Sequence, residues 1–268
     1  MDILHRDGIA LHYLDIPGAG RPIVLLHGWC CDHSFFENQT RHSAARGHRV
    51  IAPDLCGHGA SDKPNRTYSI ESFADDIAWL CGELGLQEPV LAGHSMGGII
   101  AFDIAVRHPG LASALIMLDA AIVLPKQARA AIPAFLTALR GPDYRKALRD
   151  FVDTALFIPT DNAARRHAIT EAMCRTAQHV MTSAFEGLRD YNPRVDPAGI
   201  TLPCLYIAAD EPSARTDMER TRQLMSHLQY GQTVGSGHFC QMEVPDQVNA
   251  MIDRFLLILY QRKVVDAG

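Results

Sequence analysis

The six residues Gly93-His94-Ser95-Met96-Gly97-Gly98 form the segment of this sequence best suited to chemistry. They follow the apolar run Pro89-Val90-Leu91-Ala92 and precede a stretch of helical period over 99–106. The serine is therefore expected at a sharp turn from strand into helix. A side chain projected from such a turn needs a strained backbone, and its neighbours must be small to avoid collision. Glycine two residues to either side meets that need. The helix that begins there turns its unpaired N–H groups and positive end towards the serine, an arrangement suited to an oxyanion. Ser95 is the candidate nucleophile; the bland alternative is a glycine-rich turn with an incidental serine.

Three other segments weigh against that alternative. His27-Gly28-Trp29 closes the apolar run at 23–26. Asp54-Leu55-Cys56-Gly57-His58-Gly59-Ala60-Ser61 follows another at 50–52, and Gly235-Ser236-Gly237-His238-Phe239 offers a histidine on a small-residue loop before the last helix. In this order the motifs resemble the α/β-hydrolase superfamily, and the resemblance extends over almost the whole chain. It implies a nucleophile–acid–histidine triad with Ser95 as nucleophile and His238 as general base. It also implies an oxyanion hole from the backbone N–H groups of Trp29 and Met96. Trp29, Met96 and Phe239 are expected as substrate-binding pocket walls, with plain core packing as the alternative. His27, His58 and His94 are assigned structural hydrogen bonding. Cys30, Cys31 and Cys240 are read as packing residues near these loops.

The acid is less legible. The superfamily usually carries it in a Gly-x-x-Asp loop after the strand that precedes the histidine region, and Leu205-Tyr206-Ile207-Ala208-Ala209-Asp210-Glu211-Pro212 lacks that glycine. Asp210 stands 28 residues before His238, which leaves room for a helix over 214–227 and a strand over 229–234. It is the preferred acid. Asp119, at the end of the run Leu115-Ile116-Met117-Leu118, is the rival, because some superfamily members, certain haloalkane dehalogenases among them, place their acid at this earlier strand end. Glu211 is a further alternative.

The elements that must hold these groups follow from the apolar pattern. Short runs at 23–26, 50–52, 90–92, 114–118 and 204–208 suit buried strands of a parallel sheet covered on both faces. Between them lie helical stretches such as 69–84, with Ile70, Phe73, Ile77 and Leu80 on one face, and a last helix starting near Pro245. The fold class is α/β, a doubly wound, mainly parallel sheet. From 122 to 196 no strand-like run occurs, only helical material at 127–140, 144–155, 163–179 and 180–188. Phe135, Phe151, Phe157, Met173 and Met181 are its candidate inward residues. The expected organisation is a core of 1–121 and 197–268 with 122–196 inserted as a helical lid, since a plain crossover needs far fewer residues.

Composition bounds the function. Of 268 residues 47% are hydrophobic and the net charge is −5, with no basic block, so nucleic acid is not an expected partner. No run approaches a membrane span and no apolar leader opens the chain, so a cytoplasmic protein is expected. Seven cysteines, odd in number and without a Cys-x-x-Cys pair, suit reduced thiols. Thirteen histidines show no metal-ligand spacing, so no metal and no cofactor are expected. The expected partner is a small molecule; the oligomeric state is not legible. The expected function is hydrolysis of a small to medium, largely apolar ester or lactone through an acyl-serine. A carbon–carbon bond hydrolase is the enzymatic alternative, and a low-turnover ligand-binding module is the alternative from another class.

Overall fold

Alternation along the strands decides which side chains meet which layer. In the computed structural model, which describes residues 1–193 and 199–266, eight strands form one sheet. They are β1 (Asp2–Arg6), β2 (Ile9–Ile16), β3 (Gly20–Leu26), β4 (His48–Pro53), β5 (Val90–His94), β6 (Ala114–Leu118), β7 (Cys204–Ala208) and β8 (Leu228–Gln232). Across the sheet they run β1-β2-β4-β3-β5-β6-β7-β8, parallel from β4 to β8, with β1 and β2 antiparallel at one edge.

Ten α-helices accompany the sheet among the described residues. They are α1 (Glu37–Ala45), α2 (Ile70–Glu83), α3 (Met96–Arg107), α4 (Lys126–Arg140), α5 (Tyr144–Ala155), α6 (Ala163–Met173), α7 (Gln178–Asp190), α8 (Met218–Leu224), α9 (Cys240–Glu243) and α10 (Pro245–Asp266). On β5, Val90 and Ala92 face the layer built on α10, where Val248, Ile252 and Phe255 pack. Leu91, between them, faces the opposite layer with Phe73 and Ile77 of α2 and Ile100 of α3. Both faces are therefore dry, and central strands with two dry faces read as continuous apolar runs. Ser69 starts α2 with a capping box shared with Ser72.

Strands β3 to β7 fall where the apolar runs predict them, and the strand expected over 229–234 is β8 at Leu228–Gln232. The antiparallel edge pair does not emerge from those runs, because β1 is largely exposed and interrupted by polar residues. Two helix expectations need correction. The stretch 163–179 is not one helix: α6 ends at Met173 and α7 starts at Gln178. The stretch 214–227 yields only α8, because Asp217 caps its start by accepting from the Arg220 N–H. Between β6 and β7 the chain forms α4 to α7 and, among the described residues, no strand of the sheet. The expected junction at 196/197 lies outside the described residues.

After β3 the chain passes to one side of the sheet, and after β4 it returns across β3 to form β5. Such a reversal opens a crevice at the carboxyl ends of the strands. Ser95 follows β5, Trp29 follows β3 and Asp119 follows β6, all at that end.

Candidate active site

Ser95 stands between β5 and α3 at φ 53°, ψ −119°, a conformation that non-glycine residues rarely adopt. Of the two glycines around it, Gly93 packs so closely that an added Cβ would lie 2.1 Å from the Gly97 carbonyl oxygen. At Gly97 the same atom would lie 2.0 Å from that of Leu26. The Ser95 N–H donates to Leu118 O at 2.9 Å, tying the turn to the end of β6. Strain of about 1–3 kcal/mol at such a residue persists only where its surroundings hold it.

His238 is buried, and its Nδ1 lies 2.6 Å from Asp119 Oδ2. Asp119, itself at φ 44°, also accepts from the Ala209 N–H at 3.2 Å through Oδ1. The preferred acid therefore requires correction in geometric terms. Asp210 is exposed, and its carboxylate accepts from the Gly235 N–H at 2.8 Å rather than from His238. The cause is local: beyond β7 the chain turns the Ala209 amide inward onto Asp119 and leaves Asp210 facing the loop after β8. Glu211 turns inward but is bound to Arg215. Burial opposes ionisation of Asp119, yet the His238 bond, the His238 and Arg215 charges and the Ala209 amide bring its pKa down to about 2. Burial lowers the His238 pKa, Arg215 lowers it further, and Asp119 works in the other direction.

Ser95 and His238 line one cavity of about 580 Å³, together with Trp29, Met96 and Phe239. No hydrogen bond joins Ser95 Oγ to His238 among the described residues; such bonds often tighten only around substrate. The N–H groups of Trp29 and Met96 have no backbone acceptor among the described residues. The Trp29 indole N–H donates to Met181 O at 2.9 Å, which fixes the ring against α7. Phe135 of α4, Phe151 of α5 and Phe185 of α7 gather around that ring.

The family question is decided by comparison with known proteins. A family model described as alpha/beta hydrolase fold matches residues 21–245. The chain belongs to the α/β-hydrolase family. It is 30% identical over 271 residues to the AB hydrolase superfamily protein YisY of Bacillus subtilis, covering 93% of this chain and 96% of that one. A thermophilic esterase from Thermogutta terrifontis superposes with TM-score 0.81 at 25% identity, over 96% of this chain and 97% of that one. A non-heme chloroperoxidase of Kitasatospora aureofaciens is 40% identical over 93 residues, which are 35% of this chain and 34% of that protein. Membership in the α/β-hydrolase family and the esterase likeness support hydrolase chemistry.

The motif histidines of this α/β-hydrolase are structural donors, as expected from the sequence. His27 Nδ1–H donates to Gly28 O at 2.8 Å while its Nε2 accepts from the Leu55 N–H at 3.0 Å. His94 Nε2–H donates to His238 O at 2.9 Å and so holds the backbone of the His238 loop. The seven cysteines are free and buried. Burial pushes the Cys30 and Cys31 thiols well above their ordinary range.

Among the described residues two donor clusters have the make-up to attract a cation. Asp32, His33 and Asp54 form one, but Asp54 already accepts from His33 and from the Ala60 N–H. Asp119, Glu211 and His238 form the other, where the Arg215 guanidinium supplies the positive charge, so we assign no metal there. Among the described residues no helix is long and apolar enough to cross a membrane.

Sequence reasoning missed Asp161, which lies between α5 and α6 and carries no motif. Its carboxylate accepts from the Ile158 N–H and the Gly237 N–H, both at 2.8 Å. The adjacent His238 N–H donates to Leu156 O at 3.1 Å. In Asp161→Ala both amides lose their acceptor and the histidine loop loosens. We expect a fall in kcat of about 10-fold, since small misplacements of a reacting group are costly. Steady-state kinetics on the folded variant measures it.

Burial also sets a pH dependence of stability. It lowers the pKa of His27, of His94 and of His238, and brings His58 down to about 3. These rings stay neutral in the fold but take up protons once unfolded below about pH 6.5. Their contribution is complete above that pH and is lost as pH falls through the folded values. His33, raised by its hydrogen bond to the Asp54 carboxylate, and Glu211, raised to about 7 by burial, act in the opposite direction but are fewer. Urea midpoints are expected to decline from pH 6.5 to 4.5, with a slope of about 1.4 kcal/mol per pH unit for each net proton. A flat profile would contradict this.

Proposed function

We propose that this α/β-hydrolase is a serine hydrolase that cleaves a small to medium, largely apolar carboxylic ester or lactone through an acyl-serine. The observation that carries the reading is the convergence on one cavity of a strained serine, a buried histidine bonded to Asp119 and the residues Trp29 and Met96, whose N–H groups have no backbone acceptor among the described residues. In this scheme Ser95 Oγ attacks the carbonyl carbon while His238 Nε2 takes its proton. The carbonyl electron pair moves to oxygen, where the N–H groups of Trp29 and Met96 receive the charge. Collapse expels the alkoxide, which takes the proton back from His238. Water then repeats the sequence on the acyl-serine, releasing the acid and restoring Ser95.

Asp119 serves as the triad acid: it accepts from Nδ1–H, fixes the tautomer that leaves Nε2 free, and stabilises the imidazolium. The helices α4 to α7 act as the lid. Their Phe135, Phe151 and Phe185, with Trp29, give the cavity an aromatic wall suited to an uncharged acyl or alcohol group. A p-nitrophenyl ester series from acetate to decanoate, run beside a fluorophosphonate probe, tests this reading. Turnover of the shorter members with labelling at Ser95 is expected. A folded protein that neither turns over any ester nor labels would overturn it and favour the ligand-binding alternative.

A further inference from the structure

Two charged side chains line the cavity that the acyl-serine scheme leaves without a role: Glu211 and Arg215, from the segment between β7 and α8. Arg215 Nε lies 3.4 Å from Asp119 Oδ2, the same oxygen that bonds His238 Nδ1. Its Nη2 donates to Ala155 O at 3.0 Å and to Glu211 Oε1. A carboxylate oxygen of Asp119, one of Glu211 and a ring nitrogen of His238 all lie within 4.8 Å of one another. The histidine thus has carboxylates near it from the ends of two adjacent strands, and one guanidinium ties them together.

With Asp119, Glu211 and Arg215 all charged, the cluster is neutral only when His238 carries a proton. With His238 neutral, Asp119 and Glu211 outweigh Arg215 by one negative charge. When His238 takes a proton, the cluster becomes neutral. Without a charged Glu211, the guanidinium that anchors Asp119 would leave the protonated cluster with a net positive charge. Opposed charges at this separation in a dry site interact strongly.

We propose that Glu211, held by Arg215, is a positioning residue for His238: its ionised carboxylate strengthens the base, while Arg215 anchors both carboxylates. The proposal rests on His238 acting as general base. Other groups face this cluster from every side. The His94 ring lies tilted against that of His238, centroids 4.6 Å apart, and is kept neutral by burial. Tyr206 on β7 and Cys240 on α9 are held protonated by burial. Asp161 accepts the Ile158 and Gly237 amides and adds a negative charge nearby. Burial, opposed by Arg215 and reinforced by Asp119, pushes the Glu211 pKa up to about 7, so its charge changes within the working range.

The test compares wild type with Glu211→Gln, Arg215→Met and Arg215→Lys. It reads kcat/KM for a p-nitrophenyl ester from pH 4.5 to 9, and the NMR titration of the His238 ring, which requires no turnover. In wild type kcat/KM should rise in two steps: one as His238 loses its proton and another near pH 7 as Glu211 ionises. Glu211→Gln should lose the upper step and run roughly 3- to 10-fold lower at pH 8.5, with KM little changed. The His238 resonance should lose its inflection near pH 7. Arg215→Met should move the His238 midpoint upward, and Arg215→Lys should restore it because the charge returns. A folded Glu211→Gln protein that keeps both the inflection and the upper step would overturn the proposal, and it decides alone if the arginine variants do not fold. If the inflection behaves as expected but no ester is turned over, the charge coupling stands and the hydrolytic reading fails.

Discussion

Ester hydrolysis is expected to fall by about 10⁵- to 10⁶-fold in kcat in Ser95→Ala, with KM nearly unchanged. The reason lies in what alanine removes and what it leaves. In the proposed scheme Oγ forms the covalent intermediate, whereas the aromatic wall, His238 and the amides of Trp29 and Met96 remain in place. Substrate therefore still binds, and the residual rate comes from polarisation of the carbonyl ahead of attack by water. The fold should not suffer, because no hydrogen bond of Oγ supports it among the described residues. Alanine must still adopt the positive φ that serine holds. Equal stability with lost turnover would locate the defect in chemistry. Substantial residual hydrolysis in pure Ser95→Ala protein would remove Ser95 from the nucleophile's role.

Asp119→Asn carries the second largest expected effect, about 10³- to 10⁴-fold in kcat. Its neutral amide can present an N–H to Nδ1, which favours the tautomer whose proton sits on Nε2, pointing at the serine. The imidazolium formed during attack also loses its counter-charge. Asp210→Asn is the matched control. Among the described residues its carboxylate accepts a loop amide, that of Gly235 beyond β8, so hydrolysis should stay within about twofold of wild type, as for most surface substitutions. Parallel kinetics on the two variants measures this. A larger loss at Asp210 than at Asp119 would return the acid to the position preferred from the sequence.

That reversal of preference shows where local pattern stops being informative. Strands β3 to β7 were legible because their central residues are buried on both faces and must be apolar. The positions of Ser95 at its turn and of His238 on its small-residue loop were legible because a tight turn demands small neighbours within a few residues. Trp29 and Met96, by contrast, were expected only from the family resemblance. The acid was not legible, since its contact with His238 spans the sheet. It depends on the pairing of Leu118 with Ile207, which brings the Asp119 N–H to Ile207 O at 2.8 Å and the Ala209 amide to the Asp119 carboxylate. Arg215 and Asp161 lie on irregular segments where no periodicity applies. The edge hairpin did leave a signal. Asp7-Gly8 takes positive φ at both positions, 52° and 79°, and joins strands in which Arg6 pairs with Ile9. An Asp-Gly pair between extended segments favours that turn.

The attachment of the His238 loop to the stretch between α5 and α6 bears on how such enzymes are re-engineered. Exchange of helices among relatives is an obvious route to altered selectivity, and α4 and α7 supply much of the aromatic wall available for it. The 155–161 stretch is a different kind of part. Ala155 O receives Arg215, Leu156 O receives the His238 N–H, and Asp161 receives the Gly237 N–H. A graft that replaced α4 to α7 as one cassette would exchange part of the catalytic mounting along with the wall. Grafts that stop at Thr154 and resume at Asn162 should keep turnover while changing which substrates fit.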